Sequence, residues 1–376
     1  PDRATRFTYQ GRAIGRAAAL DMLAQTGARF RATGGRGLCF LVERSSSPSR
    51  ARLMEAARAR FPEAQWFVHE PVDFHIHQEA ATMLFGKAVR PQYRLEHARR
   101  ILALDCDFLA NEGNVARMIG GFARARRPAA SPDAMVRLYA VESLYTLTGA
   151  NADHRLGLAP SRLVLMSLLV FEEFARQSGL VKRWAGAVDF AKALERRTEA
   201  LPGHLTQWTK ACVADLIGAG SGAVVLAGHR QPLLVHLIAH AMTAGLEAHR
   251  QAVAYVRAPA QIESSIAALA GALRRGAVDT LVILGGNPVY TAPVDLDWPR
   301  TQRLAGTVIR LGEYEDETFA VTDLHVPKAH FLESWGDART GDGTLVPVQP
   351  LIAPLLGGLA ELEVLARFAG LPVQSP

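Results

Sequence analysis

The residues with chemistry to offer stand just past short apolar runs. The clearest case is residues 281–284 (LVIL), followed at once by Gly285-Gly286-Asn287-Pro288 and, three positions on, Thr291. A short apolar run bounded by turn residues reads as a strand buried on both faces. The two glycines let the backbone turn with φ > 0 at no Cβ cost. Asn287 can bond its own backbone, and Pro288 presets φ. In an open α/β sheet, ligands and partners sit at the carboxyl ends of strands, so this loop is the expected working surface. A second cluster, Asp153-His154-Arg155, follows a turn containing Gly149 and Asn151. An Asp beside a His can set its tautomer. Sequence neighbours rarely point at one another, however, and no Ser or Cys nucleophile motif accompanies them.

Other combinations suggest metal or cofactor chemistry and then fall short of it. His236 and His240 are spaced i, i+4 and could share one helix face. A zincin needs Glu directly after the first His, and Leu237 stands there. His75-Ile76-His77 would point both rings to one side of a strand, again without further ligands. Glu313, Glu315, Asp316 and Glu317 cluster past a strand end, where carboxylates could hold Mg²⁺. The plainer reading places Asp316 and Glu317 at a helix start, where the dipole favours them. Gly218-x-Gly220-x-Gly222 imitates a dinucleotide fingerprint but precedes a strand, so no helix N-terminus would face a pyrophosphate. Cys39, Cys106 and Cys212 are far apart and form no C-x-x-C pair. Neither a cysteine-ligated iron–sulfur cluster nor a structural zinc site is expected from them.

Strands expected at 38–43, 65–69, 101–108 and 135–142 alternate with helices, among them one capped within 45–49 and running through 60, and others at 79–86 and 115–127. A helix is also expected at 11–27. Two longer helices, 160–179 and 185–201, carry the chain to a break at Pro202-Gly203. A second α/β stretch follows, with strands at 223–227, 251–256, 278–284 and 308–311 and helices at 232–249 and 262–275. This rhythm predicts an α/β fold of two Rossmann-like lobes, with mostly parallel sheets flanked by helices. The expected divisions are a first lobe over 1–160 with a helical lead, a helical connection over 161–204, a second lobe over 205–310, and a return segment over 311–376.

The composition, with 49% hydrophobic and 21% charged residues across 376 positions, suits a large globular core. Of 42 basic residues five are Lys, so 37 are Arg, and the net charge is +6. The Arg residues are scattered among Ala instead of massed on one face with aromatics, which argues against nucleic-acid binding. The strongest apolar candidate for a membrane span, 163–171, is short and is followed by Glu172-Glu173. The chain lacks an initiator Met and is expected to be a fragment or a trimmed mature chain.

Three stretches in fixed order resemble one family: TLTGANADHRLGLAPS (146–161), ILGGNPVYTAPVDLDW (283–298) and LGEYEDETFAVTDLHVPKAHFLESWGDARTGDGTLVPVQPLIAP (311–354). They resemble the molybdopterin-oxidoreductase-like subunit of alternative complex III, a bacterial membrane complex that oxidises quinol. The resemblance runs through nearly the whole chain. It implies the molybdopterin-oxidoreductase fold without the molybdenum cofactor. It also implies a non-catalytic part in a respiratory complex, with iron–sulfur clusters on a part or partner outside this chain. The implied location is membrane-associated through other subunits, on the periplasmic side of a bacterial inner membrane. By the same resemblance Asp153, His154, Arg155, Gly286, Asn287, Pro288, Thr291, Glu333 and Asp337 would line a vestigial cofactor cleft, with Arg155 paired to Asp337 or Glu333. The rival reading is a catalytic fragment of an enzyme carrying bis-molybdopterin guanine dinucleotide with molybdenum or tungsten. Asp73 would then be the metal ligand, being the one usual type in residues 70–79 (EPVDFHIHQE). Against that reading, Asp342-Gly343-Thr344 replaces the polar run ending in Gly-Arg that grips the pterin in the wider family.

Overall fold

A computed structural model describes residues 3–127, 135–180, 203–258 and 263–373. The chain divides into two units, one of residues 1–72 with 261–376 and one of residues 73–260. The chain thus changes unit near residues 72 and 260; the sequence suggested divisions at 160, 204 and 310. Strand–helix rhythm cannot say which strands share a sheet, and here the third buried strand starts a new one. The helix expected at 185–201 lies outside the described residues.

The first unit opens with a hairpin that the sequence did not signal, β1 (Phe7–Tyr9) and β2 (Arg12–Ile14). There follow α1 (Arg16–Arg31), β3 (Leu38–Val42), α2 (Pro48–Arg60) and β4 (Gln65–Val68). Ser47 caps α2 by accepting from the Arg50 N–H, and Pro48 stands in the first turn, as the local sequence requires.

The second unit begins with α3 (Ile76–Phe85), β5 (Val89–Tyr93), β6 (Arg100–Leu104) and α4 (Val115–Ala125). It continues through β7 (Arg137–Glu142), α5 (Leu147–Ala150), β8 (His154–Gly157), α6 (Pro160–Gln177) and α7 (Gly203–Ala219). It ends with β9 (Ala223–Ala227), α8 (Leu233–Gly245) and β10 (Val253–Arg257). Its main sheet is parallel throughout, in the order β8-β7-β6-β9. β10 pairs antiparallel with β5 in a separate ribbon. Residues 75–77, expected on a strand, instead start α3. In a helix, positions i and i+2 do not share a face, so His75 and His77 are not a pair. The 101–108 run leaves the sheet early, with Asp105 at φ +48° beginning the carboxyl-edge loop.

The chain then returns to the first unit. β11 (Ser264–Ser265), α9 (Ile266–Arg274), β12 (Thr280–Leu284), the single turn α10 (Pro288–Thr291), α11 (Trp298–Gln302), β13 (Thr307–Gly312) and β14 (Leu324–Pro327) come in order. The hairpin β15 (Gly336–Arg339) and β16 (Leu345–Val348) and the helix α12 (Glu361–Ala369) complete it. The eight-stranded sheet runs β11-β4-β3-β12-β13-β14-β1-β2. It is parallel from β11 to β14, and β1 and β2 are antiparallel.

All five residues of β12 are buried, and alternation divides them between two cores. Val282 and Leu284 join Phe40, Trp66 and Phe368 on one face, while Leu281 and Ile283 join Leu269 and Trp298 on the other. Phe40 stacks on Trp66 with centroids 4.1 Å apart and meets Phe368 edge-on at 5.3 Å. Burying each such large side chain contributes about 1.5–3 kcal/mol. These two layers fix the loops at the carboxyl ends of β3, β12 and β13.

Candidate functional site

In the first unit, β12 ends in the glycine turn with Gly285 at φ +87° and Gly286 at φ +66°. A Cβ on Gly285 would lie 2.2 Å from Glu43 Oε2. Glycine is therefore required there by both backbone and space. Glu43 stands just past β3, so neighbouring strand ends press a carboxylate against the turn. The cleft beside it has a volume of about 100 Å³ and is lined by Glu43, His69, Gly285, Gly286, Asn287 and Thr291 among others.

Hydrogen bonds hold the turn. Arg310, 1% exposed within β13, donates to the Gly286 carbonyl at 2.7 Å and binds both carboxylate oxygens of Asp316. Asn287 donates to Glu317 Oε2 at 2.7 Å, and its own Oδ1 accepts from the Thr318 hydroxyl at 2.7 Å. The Asn287 side chain holds the Glu317 carboxyl below its usual range. Thr291 returns its hydroxyl to the Asn287 carbonyl and meets His69 Nε2 at 3.2 Å. Asp316 also accepts from the Thr318 and Phe319 N–H groups. Asp316 thus braces a short 3₁₀ turn at Phe319–Val321 rather than starting a longer helix.

Glu333 and Asp337 belong to the same unit. Glu333 accepts a two-pronged guanidinium from Arg3 at 2.7 and 2.9 Å, and that bond holds its carboxyl down to about 2. Asp337 accepts from the Ser47 and Ser49 hydroxyls and from the Ser49 N–H at the start of α2. Burial pushes its carboxyl up, but those bonds outweigh it and the net displacement is downward.

The second unit positions the other predicted residues. Asp153 takes both Arg126 guanidinium nitrogens at 2.6 and 2.9 Å and the Leu138 N–H at 2.8 Å. Burial raises its carboxyl, Arg126 lowers it, and the net displacement is downward. His154 stacks on Tyr139, centroids 4.7 Å apart. Arg155 binds Glu142 Oε1 at 2.6 Å and lies over the Tyr145 ring. The partners foreseen for Arg155, Asp337 or Glu333, are therefore engaged elsewhere, and each of the three charges is matched within its own unit.

Sequence reasoning missed Glu43, Arg310 and Glu142. The signal for Arg310 was present: an arginine inside an otherwise apolar strand (VIRLG) must be paired. Asp73, the alternative metal ligand, accepts the His75 N–H at 2.8 Å. The three cysteines are buried and free, and burial pushes the Cys39 thiol up to about 12. Among the described residues no three His, Cys, Asp or Glu side chains are placed to hold a metal ion.

No protein-family model and no curated protein matches this sequence. Among solved structures, acetylene hydratase from Pelobacter acetylenicus is similar at a TM-score of 0.73 and 12% identity, over 98% of this chain and 62% of that one. This chain thus spans under two thirds of that protein. The formyltransferase/hydrolase complex (FhcABCD) from Methylorubrum extorquens, solved with methylofuran, is similar at a TM-score of 0.58 and 14% identity, over 97% of this chain and 98% of that one. At such identities the likeness is one of fold. The fold is mixed α/β, with parallel sheets flanked by helices, and is similar to that of acetylene hydratase.

Proposed function

We propose that this chain is a non-catalytic, molybdopterin-oxidoreductase-like subunit of a membrane-associated quinol-oxidising respiratory complex. It works without the molybdenum cofactor and holds an iron–sulfur electron-transferring partner, in keeping with the resemblance to the alternative complex III subunit. The observation that carries the cofactor-free reading is the Glu43 carboxylate pressed on the Gly285–Gly286 turn. A pterin dinucleotide is itself anionic, and clefts that take even drug-sized ligands measure about 300–1,000 Å³. A cleft of about 100 Å³ walled by a carboxylate suits neither its charge nor its bulk. The Arg310 fork, the natural grip for a phosphate, is consumed by Asp316 and the Gly286 carbonyl. The 342–344 turn also closes on itself, with Asp342 Oδ1 accepting from the Thr344 N–H at 3.1 Å. These features support the cofactor-free reading.

Among the described residues no helix is long and apolar enough to cross a membrane. Attachment through other subunits, on the periplasmic side in this reading, would need no such helix. The test is purification from native membranes through a tag on this chain. An iron-containing partner and quinol-oxidising activity should come with it. Recovery of the chain alone, with the quinol oxidase activity left intact in the membranes, would contradict the role.

A further inference from the structure

His77 and the His236/His240 pair, idle in the sequence, meet in the second unit. Glu112, whose side chain is 3% exposed, lies in the loop after β6. His77 of α3 approaches its Oε2 at 3.3 Å through Nε2, and His229, just past β9, approaches Oε1 at 3.1 Å through Nδ1. The His229 N–H also donates to Glu112 Oε1. Against His77 lies the ring of His236 on α8, centroids 4.9 Å apart and nearly perpendicular. One turn on, His240 meets the Tyr255 hydroxyl of β10 at 2.9 Å and hydrogen-bonds the backbone of His77. Hence α3 is fastened to α8 by imidazoles.

The arrangement has one defect. His236 is 1% exposed and bonds the carbonyls of Gly228 and Gln231, so its ring N–H is spent on them. Its Nε2 has no partner, and neither does His77 Nδ1. A proton added to His236 Nε2 in place would be a buried cation with no acceptor, facing another imidazole. Proton uptake therefore requires the ring to reach water. We propose that this cluster is an acid-operated latch: it holds α3 on α8 near neutral pH and opens α3 as protons enter.

The titratable groups around these rings are His77 from α3, Glu112 from the loop after β6, His229 from the loop after β9 and Tyr255 from β10, with Cys106 and Tyr93 near Glu112. Cys106, Tyr93 and Tyr255 are pushed upward by burial and stay neutral in the relevant range. Burial, then His77, holds His236 down at about 3; burial, again followed by His77, holds His240 at about 4. The closed form thus binds fewer protons than the open one. Its advantage is complete above the free value of 6.5 and is lost as pH falls from there toward 4 and 3. Between pH 7.5 and 5 the opening constant should rise roughly 30-fold for each histidine and several hundred-fold for both.

Native-state hydrogen exchange by mass spectrometry tests this, with rates corrected for intrinsic chemistry and β6 and β9 as the internal reference. Amides of α3 and α8 should open several hundred-fold more at pH 5 than at pH 7.5, reversibly and before the reference strands. The double variant His236→Gln/His240→Gln should be flat over that range. Should it fail to fold, the single variants His236→Gln and His240→Gln should each lose about half of the logarithmic slope. An unchanged slope in the variants would overturn the latch. So would a wild-type α3 that opens only together with β6.

Discussion

Replacing Arg310 with Met removes the guanidinium that ties the glycine turn to the acidic loop but keeps most of the apolar stem volume. Breaking a buried ion pair by deleting one partner costs about 3–5 kcal/mol. The lower end applies here. Asp316 is 16% exposed and keeps the Thr318 and Phe319 N–H groups, at 3.1 and 3.2 Å. The orphaned Gly286 carbonyl adds about 1 kcal/mol, which that range already contains. We expect Arg310→Met to lower stability by about 3 kcal/mol, a large part of the 5–15 kcal/mol typical of a domain. A urea-unfolding double-mutant cycle with Asp316→Asn should give a coupling of about 2 kcal/mol. Hydrogen exchange over residues 285–291 should accelerate in the variant. A coupling under about 0.5 kcal/mol would mean that the pair does not act as a unit. Unchanged exchange in the turn would remove Arg310 as its anchor.

Further expectations concern the same loops. Gly285→Ala places a methyl against Glu43 at a positive φ and should cost about 1–3 kcal/mol by thermal or urea unfolding, and adding Glu43→Ala should recover the steric part. If Glu43→Ala recovers nothing, the carboxylate does not fill that space. Gly149→Ala would bring a Cβ to 1.7 Å from Glu142 Oε1 and should displace Glu142 from Arg155. A loss of about 2 kcal/mol in the second unit is expected, and a stable variant with Arg155 still paired in a crystal structure would refute the packing. Glu333 sits below its ordinary value because of Arg3, so its contribution is present above pH 4.5 and is lost as pH falls toward about 2. Exchange of the amides at residues 3–6 should rise over that window, and Arg3→Met, costing about 1–3 kcal/mol, should abolish the dependence. Persistence of the acid response in Arg3→Met would show that another group causes it.

The buried parallel strands were legible because apolar runs of four to six residues ending in glycine or acid admit few other readings. β12 and its Gly285–Gly286 turn fall where LVILGG places them. The Asn287–Pro288 turn was legible too, although the sequence did not show that Thr318 and Glu317 would complete it. Sheet membership was hidden, because β4 and β6 follow the same rhythm yet join different sheets. The β1–β2 hairpin escaped notice for want of an apolar run, being FTY and RAI around Gln10-Gly11. The partners of the charged residues were the least legible. Arg155 could be seen to need an acid, but Glu142 comes to it only because β7 and β8 are neighbours in register. His77 and His236 are distant in sequence and meet only when α3 lies on α8.

The central proposal is that a fold similar to that of acetylene hydratase works here without a molybdenum cofactor. Elemental analysis of the purified chain for molybdenum, tungsten and iron tests it most directly. The account predicts no molybdenum or tungsten above background, with iron appearing only when an iron–sulfur partner is retained. Molybdenum or tungsten near one atom per chain would contradict it and make this an oxidoreductase catalytic chain.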